Sequence, residues 1–154
     1  MPARLTTLPP TSAPQSVVLD TNAVLDCWLF DDARARGLRA GIEQGRLHWY
    51  VTDAMLVELG TVMQRSLHPR WEMSRERILR CNAWHHWKLK AGPEAPRPPP
   101  GLRCTDSEDQ KFLDLALHLR ARWLVTRDRA LLRLSREAAR HGVTILPPQR
   151  WRHD

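Results

Sequence analysis

The sequence predicts one α/β domain built on a mostly parallel sheet, and three observations predict it. Apolar runs of strand length alternate with stretches of helical period along nearly the whole chain. The first run, Val17-Val18-Leu19, is unbroken, which suits a strand covered on both faces. The chain has 154 residues, 42% of them hydrophobic. A domain of that size buries roughly 70% of its unfolded surface and needs no disulfide or structural metal to hold a core.

The elements follow in order. Asp20 ends the first strand, and a helical stretch follows through Val24, Leu25, Trp28 and Leu29. Asp31 and Asp32 start a second helix, to about Glu43, and Gly45 breaks it. Leu47 to Val51 reads as a strand. Thr52 caps a helix whose apolar positions are Met55, Leu56, Leu59, Val62 and Met63. Pro69 ends that segment, and another helix is expected from about Ser74 to Lys88. Gly92 to Gly101 is rich in proline and reads as a connecting loop. Ser107 and Gln110 have capping-box spacing, so a helix starts there, with Phe112, Leu113, Ala116 and Leu117 as its buried stripe. Trp123 to Thr126 is the next strand. Asp128 caps a helix with the stripe Leu131, Leu132, Ser135, Ala138 and Ala139. Val143 to Leu146 is a last short strand, stopped by Pro147 and Pro148. The domain is expected over residues 16–154, behind a disordered lead of residues 1–15 rich in Pro, Thr and Ser.

Composition narrows the function classes. The formal net charge is +7 and the pI about 10.3, mostly from Arg, whose planar fork suits phosphate oxygens. A basic surface favours nucleic acid through counterion release. Cys27, Cys81 and Cys104 form no CxxC pair and are odd in number, against a zinc site or a secreted disulfide framework. The N-terminal lead has no apolar signal core. No apolar run approaches the ~20 residues of a membrane span, so the expected setting is cytoplasmic, away from membranes.

Four carboxylates stand out by placement. Asp20 sits at the carboxyl end of a central strand and Asp128 just past the end of another. Glu58 lies at the margin of its helix's apolar face, and Asp109 precedes Phe112 and Leu113 on the core-facing stripe of the next helix's first turn. Each has a plainer reading: Asp20 and Asp128 as caps, Glu58 as a surface ion-pair partner, Asp109 as a helix-dipole charge. Together they point elsewhere, because sites in open α/β sheets lie beyond the carboxyl ends of the strands. Buried carboxylates without partners are costly, and a divalent cation removes that cost. An all-carboxylate set suits Mg²⁺ or Mn²⁺. The histidines have no zinc-binding spacing, and adjacent His85 and His86 read as surface or RNA-facing residues.

These segments resemble the motifs of PIN domains. Val17-Val18-Leu19-Asp20-Thr21-Asn22 looks like their opening signature, and Thr52-Asp53-Ala54-Met55-Leu56-Val57-Glu58-Leu59 like their second acidic motif. Asp106-Ser107-Glu108-Asp109-Gln110-Lys111-Phe112-Leu113 is similar to the third, and Thr126-Arg127-Asp128 with Leu131-Leu132 to the fourth. The subgroup most resembled is that of toxins from bacterial toxin–antitoxin systems. The resemblance implies a central parallel sheet of about five strands in the order 3-2-1-4-5, flanked by helices. It implies Mg²⁺- or Mn²⁺-dependent cleavage of single-stranded RNA, with metal held by Asp20, Glu58, Asp109 and Asp128. Asn22 and Thr126 match polar positions that orient water or carboxylates beside the metal. Asp106 reads more readily as a solvated loop residue than as an extra carboxylate. An antitoxin partner and a homodimer are also implied.

Trp84 to Trp87, with Arg75, Arg77, Arg80 and Lys88, offers stacking and charge for an RNA strand. The alternative, a core of tryptophans under a solvated basic face, is the stronger reading. Two other functions stand beside the ribonuclease. One is a non-catalytic RNA- or protein-binding module that kept the fold, which has no use for four converging carboxylates. The other is a structure-specific DNA nuclease, whose relatives carry more acids and extra elements than this short chain.

Overall fold

The computed structural model describes residues 13–65 and 89–152. The helix expected over 74–88, with its tryptophans and arginines, His85, His86, Cys81 and Pro69, lies outside the described residues, as do residues 1–12. The elements are β1 (Gln15–Leu19), α1 (Thr21–Trp28), a 3-10 turn (Ala33–Ala35), α2 (Arg36–Glu43), β2 (Leu47–Val51) and α3 (Asp53–Arg65). Then come β3 (Leu89–Ala91), α4 (Gln110–Leu119), β4 (Trp123–Val125), α5 (Arg129–Leu132), α6 (Ser135–Ala139) and β5 (Thr144–Leu146).

The strands lie in the order β3-β2-β1-β4-β5, with every neighbouring pair parallel. The four strands located in the sequence form the run β2-β1-β4-β5. The three-residue β3 adds to the β2 edge and has no pattern long enough to read from sequence. Val17 and Val18 point to opposite faces and are both fully buried, which makes β1 the centre. Val17 and Leu19 join Trp28, Leu38, Trp49 and Trp123 on one side. Val18 joins Leu113, Ala116, Leu124 and Leu131 on the other. Trp28 and Trp49 stack with ring centroids 4.9 Å apart. Among the described residues no helix is long and apolar enough to cross a membrane.

Four sequence expectations need correction. β1 begins at Gln15, one residue before the expected domain start, where the Gln15 amide bonds the Arg46 carbonyl. The second helix starts at Arg36, not Asp31. Asp31 is in the left-handed region, with φ 47°, which a right-handed helix cannot absorb, and Asp32 caps the 3-10 turn by accepting from the Arg34 amide at 2.9 Å. The capping box at Ser107–Gln110 does not form. Gln110 instead accepts from the Cys104 amide at 2.6 Å and donates to the Leu102 carbonyl at 3.1 Å, so its side chain ties down the preceding loop. The single helix expected after Asp128 is two, α5 and α6, because the chain leaves helical geometry at Leu134 and the Ser135 hydroxyl bonds the Leu132 carbonyl. Gly45, at φ 76°, makes the turn into β2, a conformation that costs glycine little.

Candidate metal centre

The site is built from strand ends upward. Asp20 follows β1 directly and caps α1, its Oδ1 accepting from the Ala23 amide at 2.8 Å. Its Oδ2 accepts from the Thr126 hydroxyl at 2.5 Å. That hydroxyl also accepts from the Asp128 amide at 2.9 Å. Thr126, fully buried at the end of β4, therefore ties Asp20 and Asp128 into one frame. Asp128 caps α5, its Oδ1 accepting from the Ala130 amide at 2.7 Å. The plain capping readings of Asp20 and Asp128 are thus real, and capping is what fixes these carboxylates at the sheet's carboxyl edge.

Asp109 approaches from the start of α4. It occupies the cap position there but makes no capping hydrogen bond. Its Oδ2 is buried with no hydrogen-bond partner. Asp106, Asp109 and Asp128 each place a carboxylate oxygen within 4.8 Å of the others. Asp106 is exposed in a loop, as the sequence suggests, and its carboxylate also lies in this cluster. A turn in which its Oδ1 accepts from the Glu108 amide at 3.0 Å holds it there.

The electrostatics follow from this crowding. Burial, first, and then the Asp128, Asp106 and Asp20 carboxylates push Asp109 up to about 7. Asp128 also lies close enough to share a proton with it, which favours the neutral form. Asp20 is pushed up to about 6, chiefly by burial, against the pull of its bonds from Thr126 and Ala23.

Glu58 stands apart from the trio. Its Oε1 accepts from the Lys111 ammonium at 2.6 Å and its Oε2 from the Thr21 hydroxyl at 2.5 Å. Through Thr21, which directly follows Asp20, Glu58 is bonded to the start of the helix that Asp20 caps, and it is neutralised by a lysine. Asn22 is exposed in the first turn of α1. Among the described residues it forms no hydrogen bond to the acids, unlike Thr126.

Sequence reasoning assigned no role to Lys111, Asp26 or Arg127. Asp26 is 2% exposed and pairs through Oδ1 with the Arg127 guanidinium at 2.8 Å, bracing α1 against the segment between Thr126 and Asp128. Its signal was present: a lone carboxylate inside the apolar run from Val24 to Leu29.

The donor set is all oxygen, and one buried oxygen lacks a donor, so the residues fit a hard divalent cation such as Mg²⁺ or Mn²⁺. The fold and site define an α/β domain with carboxylates gathered beyond the carboxyl ends of parallel strands, the place where such sheets carry their chemistry. A family model described as PIN domain matches residues 16–130. The chain belongs to the PIN-domain family, whose members are in general nucleases that use divalent metals. All five carboxylates, Asp20, Glu58, Asp106, Asp109 and Asp128, fall within the matched residues. No curated protein and no solved structure matches the chain.

Proposed function

We propose that this chain is an endoribonuclease that uses Mg²⁺ or Mn²⁺ to hydrolyse single-stranded RNA, as the toxin of a toxin–antitoxin pair. The observation that carries the nuclease reading is the buried, donorless Asp109 oxygen inside a cluster of like charges. A fold that only bound RNA would gain nothing from that arrangement and would repel phosphate with it.

Asp20, Asp109 and Asp128 hold the cation, with Glu58 reaching it when Lys111 releases it. Asp106 is added to that set by its place in the cluster. Thr126 keeps the Asp20 and Asp128 carboxylates in register, and Asn22 offers an exposed amide at the entrance. When bound, the cation supplies a Lewis acid for a phosphoryl oxygen and a more acidic water for attack on phosphorus. The protein's own contribution is to fix the carboxylates before substrate arrives, so that little reorganisation is left for the reaction. RNA as substrate accords with the basic charge; a cytoplasmic homodimer with an antitoxin partner belongs to the same proposal through the toxin resemblance.

Purified protein should cut single-stranded RNA with Mn²⁺ or Mg²⁺ present and stop in EDTA. Undiminished cleavage in EDTA would sink the metal reading. Preferential cleavage of branched or flapped DNA would move the protein to the structure-specific nucleases. Growth arrest on expression of wild type but not of Asp20→Asn is expected of a toxin; unimpaired growth with active nuclease would leave a nuclease without that role.

A further inference from the structure

An open groove of about 690 Å³ is lined by Arg133, Arg136, Arg140 and His141 on one side and Pro100 to Leu102 on the other, and none of the clustered acids lines it. It begins near the helix that Asp128 caps. Arg133 lies five residues beyond Asp128, at the end of α5, which is roughly 7–8 Å at 1.5 Å per helical residue. Leu102, on the opposite wall, is tied through Gln110 to the start of α4 beside Asp109.

The charge in the groove is available. The three arginines are exposed, and all three line the groove. Among the described residues, Arg34, Arg36, Arg39, Lys111 and Arg127 are each in an ion pair. Arg133, Arg136 and Arg140 are in none, although Glu137 lines the same groove. Across from them Gly101, at φ 105°, presents backbone with open space where a side chain would stand. A nuclease whose centre is acidic needs cations outside that centre to hold a polyanion against its repulsion.

We propose that this groove binds phosphates of the single-stranded RNA outside the segment being cut; this rests on the ribonuclease reading above. Guanidinium forks on Arg133, Arg136 and Arg140 take phosphate oxygens, and the Pro100–Leu102 wall confines the strand without reading its sequence.

The test is fluorescence anisotropy of a labelled oligouridylate with full-length protein in EDTA, which separates binding from cleavage. A single strand gives a salt slope of about 0.7 per neutralised phosphate, so Arg133→Ala/Arg136→Ala/Arg140→Ala should flatten the log–log slope by about 2 and weaken binding by several tens-fold at physiological salt. Arg136→Gln alone should flatten it by about 0.7, which keeps the test open if the triple variant misfolds. Arg46→Ala, outside the groove lining, should change the slope much less.

An unchanged slope in the groove variants, or an equal loss in Arg46→Ala, would overturn the groove assignment while leaving the nuclease reading intact. So would wild-type protein that cuts RNA with Mn²⁺ yet shows no binding in EDTA. Failure of wild type to cut any RNA would instead remove the reading on which the groove rests. Competition by polyglutamate as strong as by RNA would give the groove to an acidic protein segment.

Discussion

Asp20 and Asp128 are held by backbone amides and by one shared threonine, whereas Glu58 is held by a lysine and by Thr21. The first arrangement is rigid, because amides at helix starts and a hydroxyl at a strand end cannot swing away without unfolding the edge of the sheet. The second is adjustable, because Lys111 and Glu58 sit on flexible stems that are about a quarter to a third exposed. Asp109 belongs to neither, being buried but unsatisfied. The difference teaches that four acids read as equals from sequence fall into a fixed pair, one waiting oxygen and one counterbalanced residue.

The largest effect is expected at the fixed pair. Asp20→Asn keeps the shape and the Thr126 contact but removes the charge. Cleavage should fall at least about a hundredfold, ~2.7 kcal/mol of barrier, while RNA affinity in EDTA stays equal or rises. A rate within about threefold of wild type, measured on single-stranded RNA, would break the comparison by making Asp20 a cap and nothing more.

The brace behind the fixed pair gives the next largest effect. Arg127→Met leaves the Asp26 carboxylate buried without its cation. Removing one partner of a fully buried pair costs 3–5 kcal/mol; because Arg127 is 41% exposed, a loss of about 2 kcal/mol is expected. Asp26→Asn in the same chain should recover part of it. Urea unfolding that shows no loss for Arg127→Met would mean the pair braces nothing.

The waiting oxygen has a pH signature in metal-free protein. Asp109 and Asp20 are raised to about 7 and about 6 from an ordinary 3.8. Between the ordinary and the raised values the native state binds more protons than the unfolded chain, so stability falls as pH rises from about 4 to about 7. The slope should reach at most ~1.4 kcal/mol per pH unit for each proton. Asp109→Asn should be visibly flatter in urea melts across that range; an identical slope would remove Asp109 from the crowded cluster.

The smallest effect belongs to the counterbalanced residue. A double-mutant cycle of Glu58→Gln and Lys111→Met should give a coupling near ~0.5 kcal/mol in EDTA, as expected of a partly exposed pair. Mn²⁺ should reduce it, since the cation competes with Lys111 for Glu58. Coupling unchanged by Mn²⁺ would make Glu58 a surface partner of Lys111 alone.

Much of this was legible before any coordinates. Unbroken Val17-Val18-Leu19 placed the central strand, and four of the five strands among the described residues announced themselves as apolar runs of sufficient length. β3 did not, because three residues paired at an edge carry no period. Asp20, Asp109 and Asp128 could be placed at strand and helix ends because such ends fall where apolar patterns stop, and Glu58 by the margin of its helix's apolar face. What pairs with each of them could not be read, because Lys111 is 53 residues from Glu58 and Arg127 is 101 from Asp26. Sequence spacing says nothing of contacts made by the fold. Gln110 shows the same limit: its spacing from Ser107 signalled a capping box, but tertiary bonds to Leu102 and Cys104 took its amide.

The central claim, that these carboxylates converge to hold a divalent cation, is tested most directly by thermal melting of wild type and Asp109→Asn, each in EDTA and in Mn²⁺. In EDTA the variant should melt at the wild-type temperature or above it, because it sheds one of several crowded charges. Mn²⁺ should stabilise wild type by RT ln(1 + [L]/Kd), ~2.7 kcal/mol at a hundred times Kd, and the variant much less. A variant less stable than wild type in EDTA by roughly the 0.3–1 kcal/mol of a lost helix-dipole charge, yet showing the full Mn²⁺ shift, would contradict the claim.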